Sequence, residues 1–110
     1  MNQRDRILAL DDRRTEMVYV KEWNETIIVR SMSAQERTDF ETANEGAPRS
    51  TIPARLVVAT AVGEDGSPLF TEADVPALSG KNAAAMLRLF EAASKLNALS
   101  GEDVEEISKN

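Results

Sequence analysis

The 110-residue chain contains no cysteine and no histidine. Without cysteine it can form no disulfide, no thiolate metal site and no thiol nucleophile, a usage that fits a reducing compartment. The missing histidine removes the commonest general base, the commonest transition-metal ligand and every Ser-His or Cys-His arrangement. Aromatic residues are few (Tyr19, Trp23, Phe40, Phe70 and Phe90), so Leu, Val, Ile, Met and Ala must fill most of any core. Positive charge is also in deficit: thirteen basic against nineteen acidic side chains leave a net charge of −6, a field that repels phosphate backbones and argues against nucleic acid as a partner. Long apolar runs are absent as well. The N-terminus carries no core of signal-peptide length, and no segment approaches the ~20 apolar residues of a bilayer span, so no membrane association and a cytoplasmic location are expected.

What is present reads as one globular domain. A chain of this length buries roughly 60–70 % of its unfolded surface, and a composition of 42 % hydrophobic with 29 % charged residues is that of a folded protein. Residues 4–10, with Ile7, Leu8 and Leu10, are compatible with a short helix. The interleaved Arg4, Arg6, Arg13, Arg14 and Asp5, Asp11, Asp12 form a mixed-charge solvated face. β-Branched and aromatic residues then predict strands over 16–22 and 26–31, joined as a β-hairpin whose Asn24 tolerates the positive φ of a tight turn. Alternation places Val18 and Val20 on one face and Met17, Tyr19 and Trp23 on the other, so neither face is purely polar.

Helices follow. Ser33-Ala34-Gln35-Glu36 is a capping box opening a helix over 34–44, with Arg37 and Glu41 at i, i+4 spacing. Residues 52–62 combine strand-forming Leu56, Val57, Val58 and Val62 with a cap candidate at Ser50 or Thr51, Pro53 in the first turn and three alanines; the agreement of the end signals favours helix. Glycines 63 and 66 and Pro68 mark a turn-rich loop delivering Phe70 to a short helix over 72–78 behind Thr71. The longest helix is expected over 82–99, with Met86, Leu89, Phe90, Ala93 and Leu96 on one side and Arg88, Glu91 and Lys95 on the other. An acidic terminal turn is expected over 102–108. The fold class is therefore α+β: an N-terminal β-hairpin packed with four to five helices, the longest near the C-terminus.

No grouping for catalysis emerges. The carboxylate clusters Asp11-Asp12, Glu64-Asp65 and Glu102 to Glu106 are not embedded in apolar runs that would raise a pKa for acid–base work. The Gly63-Glu64-Asp65-Gly66 loop has Ala61 and Gly63 where an EF-hand needs oxygen ligands, and it lacks the Gly-Lys-Ser/Thr of a phosphate loop. No cofactor, no metal and no enzymatic activity are expected. Binding is left as the mode of action, and Trp23, Met86 and Phe90 are the candidate partner-binding residues, each with core packing as its alternative role.

Two blocks carry a family resemblance: Val20-Lys-Glu-Trp23 through Val29-Arg-Ser-Met-Ser-Ala-Gln-Glu-Arg37 with Phe40-Glu41, then Leu56-Val-Val58 to Glu64-Asp-Gly66 and Pro68-Leu-Phe-Thr-Glu-Ala-Asp-Val75. With the following helix and Leu96-Asn-Ala-Leu99 they span more than half of the chain, and in this pattern it resembles the tail assembly chaperones of long-tailed bacteriophages. Gly63 stands where an acidic residue is common in that family, and Glu25 where glycine is.

The resemblance implies a protein that binds the helix-rich tape measure protein, keeps it soluble and promotes tail-tube polymerisation around it in the host cytoplasm, without nucleotide and without entering the mature virion. It also implies a second, longer form made by programmed −1 frameshifting, through which the major tail protein becomes a partner. Ser108-Lys109-Asn110 permits the slippery heptamer A AAA AAC if encoded TCA AAA AAC. Self-association is compatible with this role. The alternative expectation is a small structural tail or connector component of the virion.

Overall fold

The computed structural model describes residues 2–97. In chain order the elements are α1 (Gln3–Ala9), β1 (Thr15–Val20), β2 (Glu25–Arg30), α2 (Ala34–Asn44), α3 (Ile52–Thr60), β3 (Ala61–Val62), α4 (Val75–Ser79) and α5 (Ala83–Leu96), with 3-10 turns at Arg49–Thr51 and Glu72–Asp74. The strands form one antiparallel sheet in the order β1-β2-β3. The fold is a small α+β domain whose longest helix lies near the C-terminus.

The hairpin register pairs Val18 with Ile27 and Val20 with Glu25, leaving Lys21 to Asn24 as the turn; Asn24 takes φ 51°, a conformation asparagine tolerates better than most residues. Val20, Ile27 and Val29 face inward, together with Ala61 of β3, and are buried. Against that face pack α5, through Ala85, Leu89 and Ala93, and α3, through Ala54, Leu56 and Val57; Phe40 of α2 and Val75 and Leu78 around α4 close the core. Burying a Leu or Val side chain of this kind stabilises by about 1.5–3 kcal/mol, and the cluster of aliphatic residues substitutes for the scarce aromatics.

Local chemistry sets several boundaries. At α2 the capping box forms: Ser33 Oγ accepts from the Glu36 amide at 3.1 Å and Glu36 Oε1 accepts from the Ser33 amide at 2.9 Å. Arg37 Nε donates to Glu41 Oε1 at 3.0 Å one turn on. The 34–44 expectation coincides with α2.

Elsewhere the structure departs from the sequence-based bounds. The expected strands over 16–22 and 26–31 lie at Thr15–Val20 and Glu25–Arg30, because Lys21 and Glu22 are consumed by the turn. The expected helix over 52–62 ends at Thr60, and Ala61 and Val62 pair with Val29 and Ile28 as a third strand, so the sheet is more than a hairpin. Both propensities of that segment are used in succession. Neither Ser50 nor Thr51 caps α3: the Thr51 hydroxyl donates to the Pro48 carbonyl at 2.6 Å, and the helix instead grows out of a 3-10 turn with Pro53 in its first turn. The helix expected over 72–78 starts as the 3-10 turn Glu72–Asp74, where Asp74 Oδ2 accepts from the Thr71 amide at 2.9 Å, and becomes α-helical at Val75. Of the helix expected over 82–99, α5 covers Ala83–Leu96; its far end, the turn over 102–108 and Ser108 to Asn110 lie outside the described residues. The 4–10 helix corresponds to Gln3–Ala9, capped by Asn2 Oδ1 accepting from the Asp5 amide at 2.8 Å.

Candidate partner-binding surface

The geometry of α5 decides where the sequence-chosen residues go. Gly80 ends α4 by donating its amide to the Pro76 and Ala77 carbonyls, and Asn82 Oδ1 then accepts from the Ala85 amide at 3.1 Å to start α5 in a new direction. From that start, Ala85, Leu89 and Ala93 are turned to the sheet and fully buried. Met86 and Phe90, one turn apart, lie along one edge of this buried stripe, facing the space beside α3.

There they line an open groove of about 350 Å³. Pro53 and Ala54 of α3 form the opposite wall, Leu87 stands on the rim at 54 % exposure, and Lys81 lies at the groove's α4 end. Met86 is mostly buried and Phe90 half-buried, so both contribute to the core with part of their surface and to the groove with the rest. The surface is predominantly apolar, with one cation at its edge, on a chain of net charge −6.

Trp23 lies outside this lining. It is half-buried at the hairpin turn and packs against the core. The turn is tied to the far side of α5 by a two-pronged ion pair in which Arg88 Nη2 donates to Glu22 Oε2 at 2.7 Å and Nη1 to Glu22 Oε1. Hydrogen bonding from Arg88, reinforced by its charge, holds the Glu22 carboxyl at about 2, and the same contact raises the Arg88 pKa. Met86 and Phe90 are thus brought together, while Trp23 and the Glu22–Arg88 pair form a separate junction between the hairpin and α5. Leu87 is the groove residue that sequence periodicity overlooks. Its signal is an apolar side chain one step outside the buried stripe.

The Gly63 to Val75 loop borders a second groove, of about 400 Å³, between α2 and α3. Phe40, Val58, Pro68 and Phe70 give it an apolar floor, and the Arg55–Glu72 ion pair crosses its rim. Within the loop, Asp65 Oδ1 accepts from the Ser67 hydroxyl at 2.6 Å and the Ser67 amide at 3.0 Å, bonds that lower the Asp65 pKa. These are turn-forming contacts. Gly66, at φ 83°, supplies the left-handed conformation the turn requires. Among the described residues no group of three or more acidic side chains is arranged to hold a metal ion, and no helix is long and apolar enough to cross a membrane.

Comparison with known proteins places this architecture. Residues 2–110 match the family model described as phage tail assembly chaperone, and the chain belongs to that family. No curated protein matches the chain. Among solved structures, the bacteriophage HK97 tail assembly chaperone is similar, with a TM-score of 0.60 at 18 % sequence identity over 87 % of this chain and 95 % of that one. At that identity the likeness is one of fold. As a tail assembly chaperone this chain is a non-catalytic protein of phage morphogenesis.

Proposed function

We propose that this tail assembly chaperone binds the tape measure protein through the groove between α3, α4 and α5, keeps it soluble and promotes tail-tube polymerisation around it, in the host cytoplasm and without entering the mature virion. The observation that carries this is the apolar groove lined by Met86, Leu87 and Phe90 on one side and Pro53 and Ala54 on the other, with Leu87 exposed on its rim and Phe90 and Pro53 partly exposed. A tape measure protein presents long apolar helical faces before the tube encloses them, and a helix lays such a face into a groove of this chemistry through side chains one turn apart. The remaining surface keeps the complex dispersed by its net negative charge. A frameshift-extended form of the chain would add contacts to the major tail protein, recruiting tube subunits to the bound tape measure.

Coexpression with the tape measure protein of the same phage tests the reading. Its soluble fraction should rise with the wild-type chain and fall back with Leu87→Asp, a change at a side chain the fold leaves mostly exposed. An unchanged soluble fraction with the wild-type chain removes the masking role. Presence of the chain in purified, infectious particles would instead make it a structural tail component.

A further inference from the structure

We propose that the groove between α2 and α3 is a second docking site, taking a partner helix whose apolar stripe is flanked by lysine or arginine. It is separate from the groove beside α5. α3 turns Pro53 and Ala54 to that groove and Arg55, Val58 and Ala59 to this one, so a single helix is a wall of both. The apolar floor of the second groove is covered only in part: Phe40 belongs to the core, whereas Val58 and Phe70 are half-buried and Pro68 is exposed.

Charge complementarity identifies the occupant. Carboxylates line the groove from two separate elements, Glu36 and Asp39 one turn apart on α2 and Glu72 in the turn before α4, against one guanidinium, Arg55. Arg55 is already engaged: it pairs with Glu72 and donates from Nε to Thr51 Oγ1 at 3.2 Å, with its side chain only 16 % exposed, while that of Glu72 is 62 % exposed and open to a second cation. Glu36 is held by Arg13 and by the Ser33 amide. Asp39 accepts from Gln35 Nε2 at 2.9 Å, and among the described residues no cation pairs with it. A helix with basic residues on both flanks sets its stripe on the floor and its cations against Asp39 and Glu72, whereas an acidic helix meets like charge from both elements.

The walls also favour a helix over an extended segment. The amides and carbonyls along α2 and α3 are used within those helices, so a strand laid here would gain no ladder of main-chain bonds. A helix satisfies its own backbone and needs only side-chain contacts. From Glu36 to Ala43 α2 borders the groove for about 10 Å, a length over which a partner helix places stripe residues at i, i+3 or i+4, and i+7.

The test titrates the full chain into two labelled synthetic helical peptides, read by fluorescence anisotropy, with circular dichroism to report folding of each variant. Both peptides carry the same leucine stripe, flanked in one by lysine and in the other by glutamate. The lysine peptide should bind at least about tenfold more tightly, and Asp39→Lys should raise its Kd by about tenfold. Glu91→Lys makes the same change in net charge on the exposed side of α5 and should raise the Kd by less than about twofold. Ala43→Gln, at the exposed end of the α2 wall, tests the apolar contact without altering charge and should raise the Kd by about threefold or more. Equal losses in Asp39→Lys and Glu91→Lys would mean that net charge alone attracts the peptide, and overturn the inference. It is also overturned if neither peptide binds, if the glutamate peptide binds as tightly, or if binding of the lysine peptide is lost in Leu87→Asp and kept in Asp39→Lys, which would place it beside α5. Sedimentation covers the remaining occupant: if Asp39→Lys disrupts association of the chain with itself and leaves peptide binding intact, the groove belongs to a second copy and the inference fails.

Discussion

Glu22 in the hairpin turn and Arg88 in the middle of α5, 66 residues apart in sequence, meet in a two-pronged ion pair that fastens the sheet to the longest helix. The folded pKa of Glu22 is held below its ordinary value, so its stabilising contribution is present above about 4.5 and is lost as pH falls from there through about 2. NMR titration should find Glu22 deprotonating near 2 in the wild type and in the ordinary carboxylate range in Arg88→Ala. Neutral-pH stability should change little, as is usual for ion pairs at the surface.

Leu89 is fully buried between the sheet and α3. Leu89→Ala should cost about 2–5 kcal/mol and lower Tm by about 10 °C or more, measured by calorimetry. Leu87→Ala, two residues away on the exposed rim, should leave Tm nearly unchanged, a contrast that tests the orientation of α5.

The Ser33 hydroxyl satisfies the Glu36 amide at the start of α2. Ser33→Ala removes that acceptor and should cost about 1 kcal/mol in denaturant unfolding, while Ser33→Asp should retain most of the stability.

Gly66 and Gly46 both occupy the left-handed region, at φ 83° and 74°. A Cβ at Gly66 would meet only the Arg30 Nη1 atom, at 3.6 Å, and one at Gly46 would meet nothing within 4 Å. Alanine at either site should therefore cost about 1 kcal/mol, from backbone strain alone. A loss several times larger at Gly66 would mean that the loop packs more tightly than this geometry.

Much of the architecture is written locally. The capping box at Ser33, the positive φ at Asn24 and the stripe Met86, Leu89, Phe90 and Ala93 are short-range signals, so α2, the hairpin and α5 follow from residues within a turn or two of one another. The missing histidine and cysteine likewise narrow the chemistry before any fold is known. The alternating β1 pattern determines that Met17 and Tyr19 share a face, and the two sequence blocks around Trp23 and Phe70 carry the family likeness.

Tertiary structure decided what local pattern left open. Ala61 and Val62 are too short a strand to signal themselves, and they leave the helical path because the β2 edge offers them hydrogen bonds. Met86 and Phe90 line a groove because Pro53 and Ala54, more than thirty positions earlier, form its other wall, whereas Trp23 is drawn onto the core beside the Glu22–Arg88 pair. Helical periodicity is fixed by bonds four residues apart and can be read along the chain. Which face is covered, and which stays open to a partner, depends on contacts between segments far apart in sequence, and those exist only once the chain has folded.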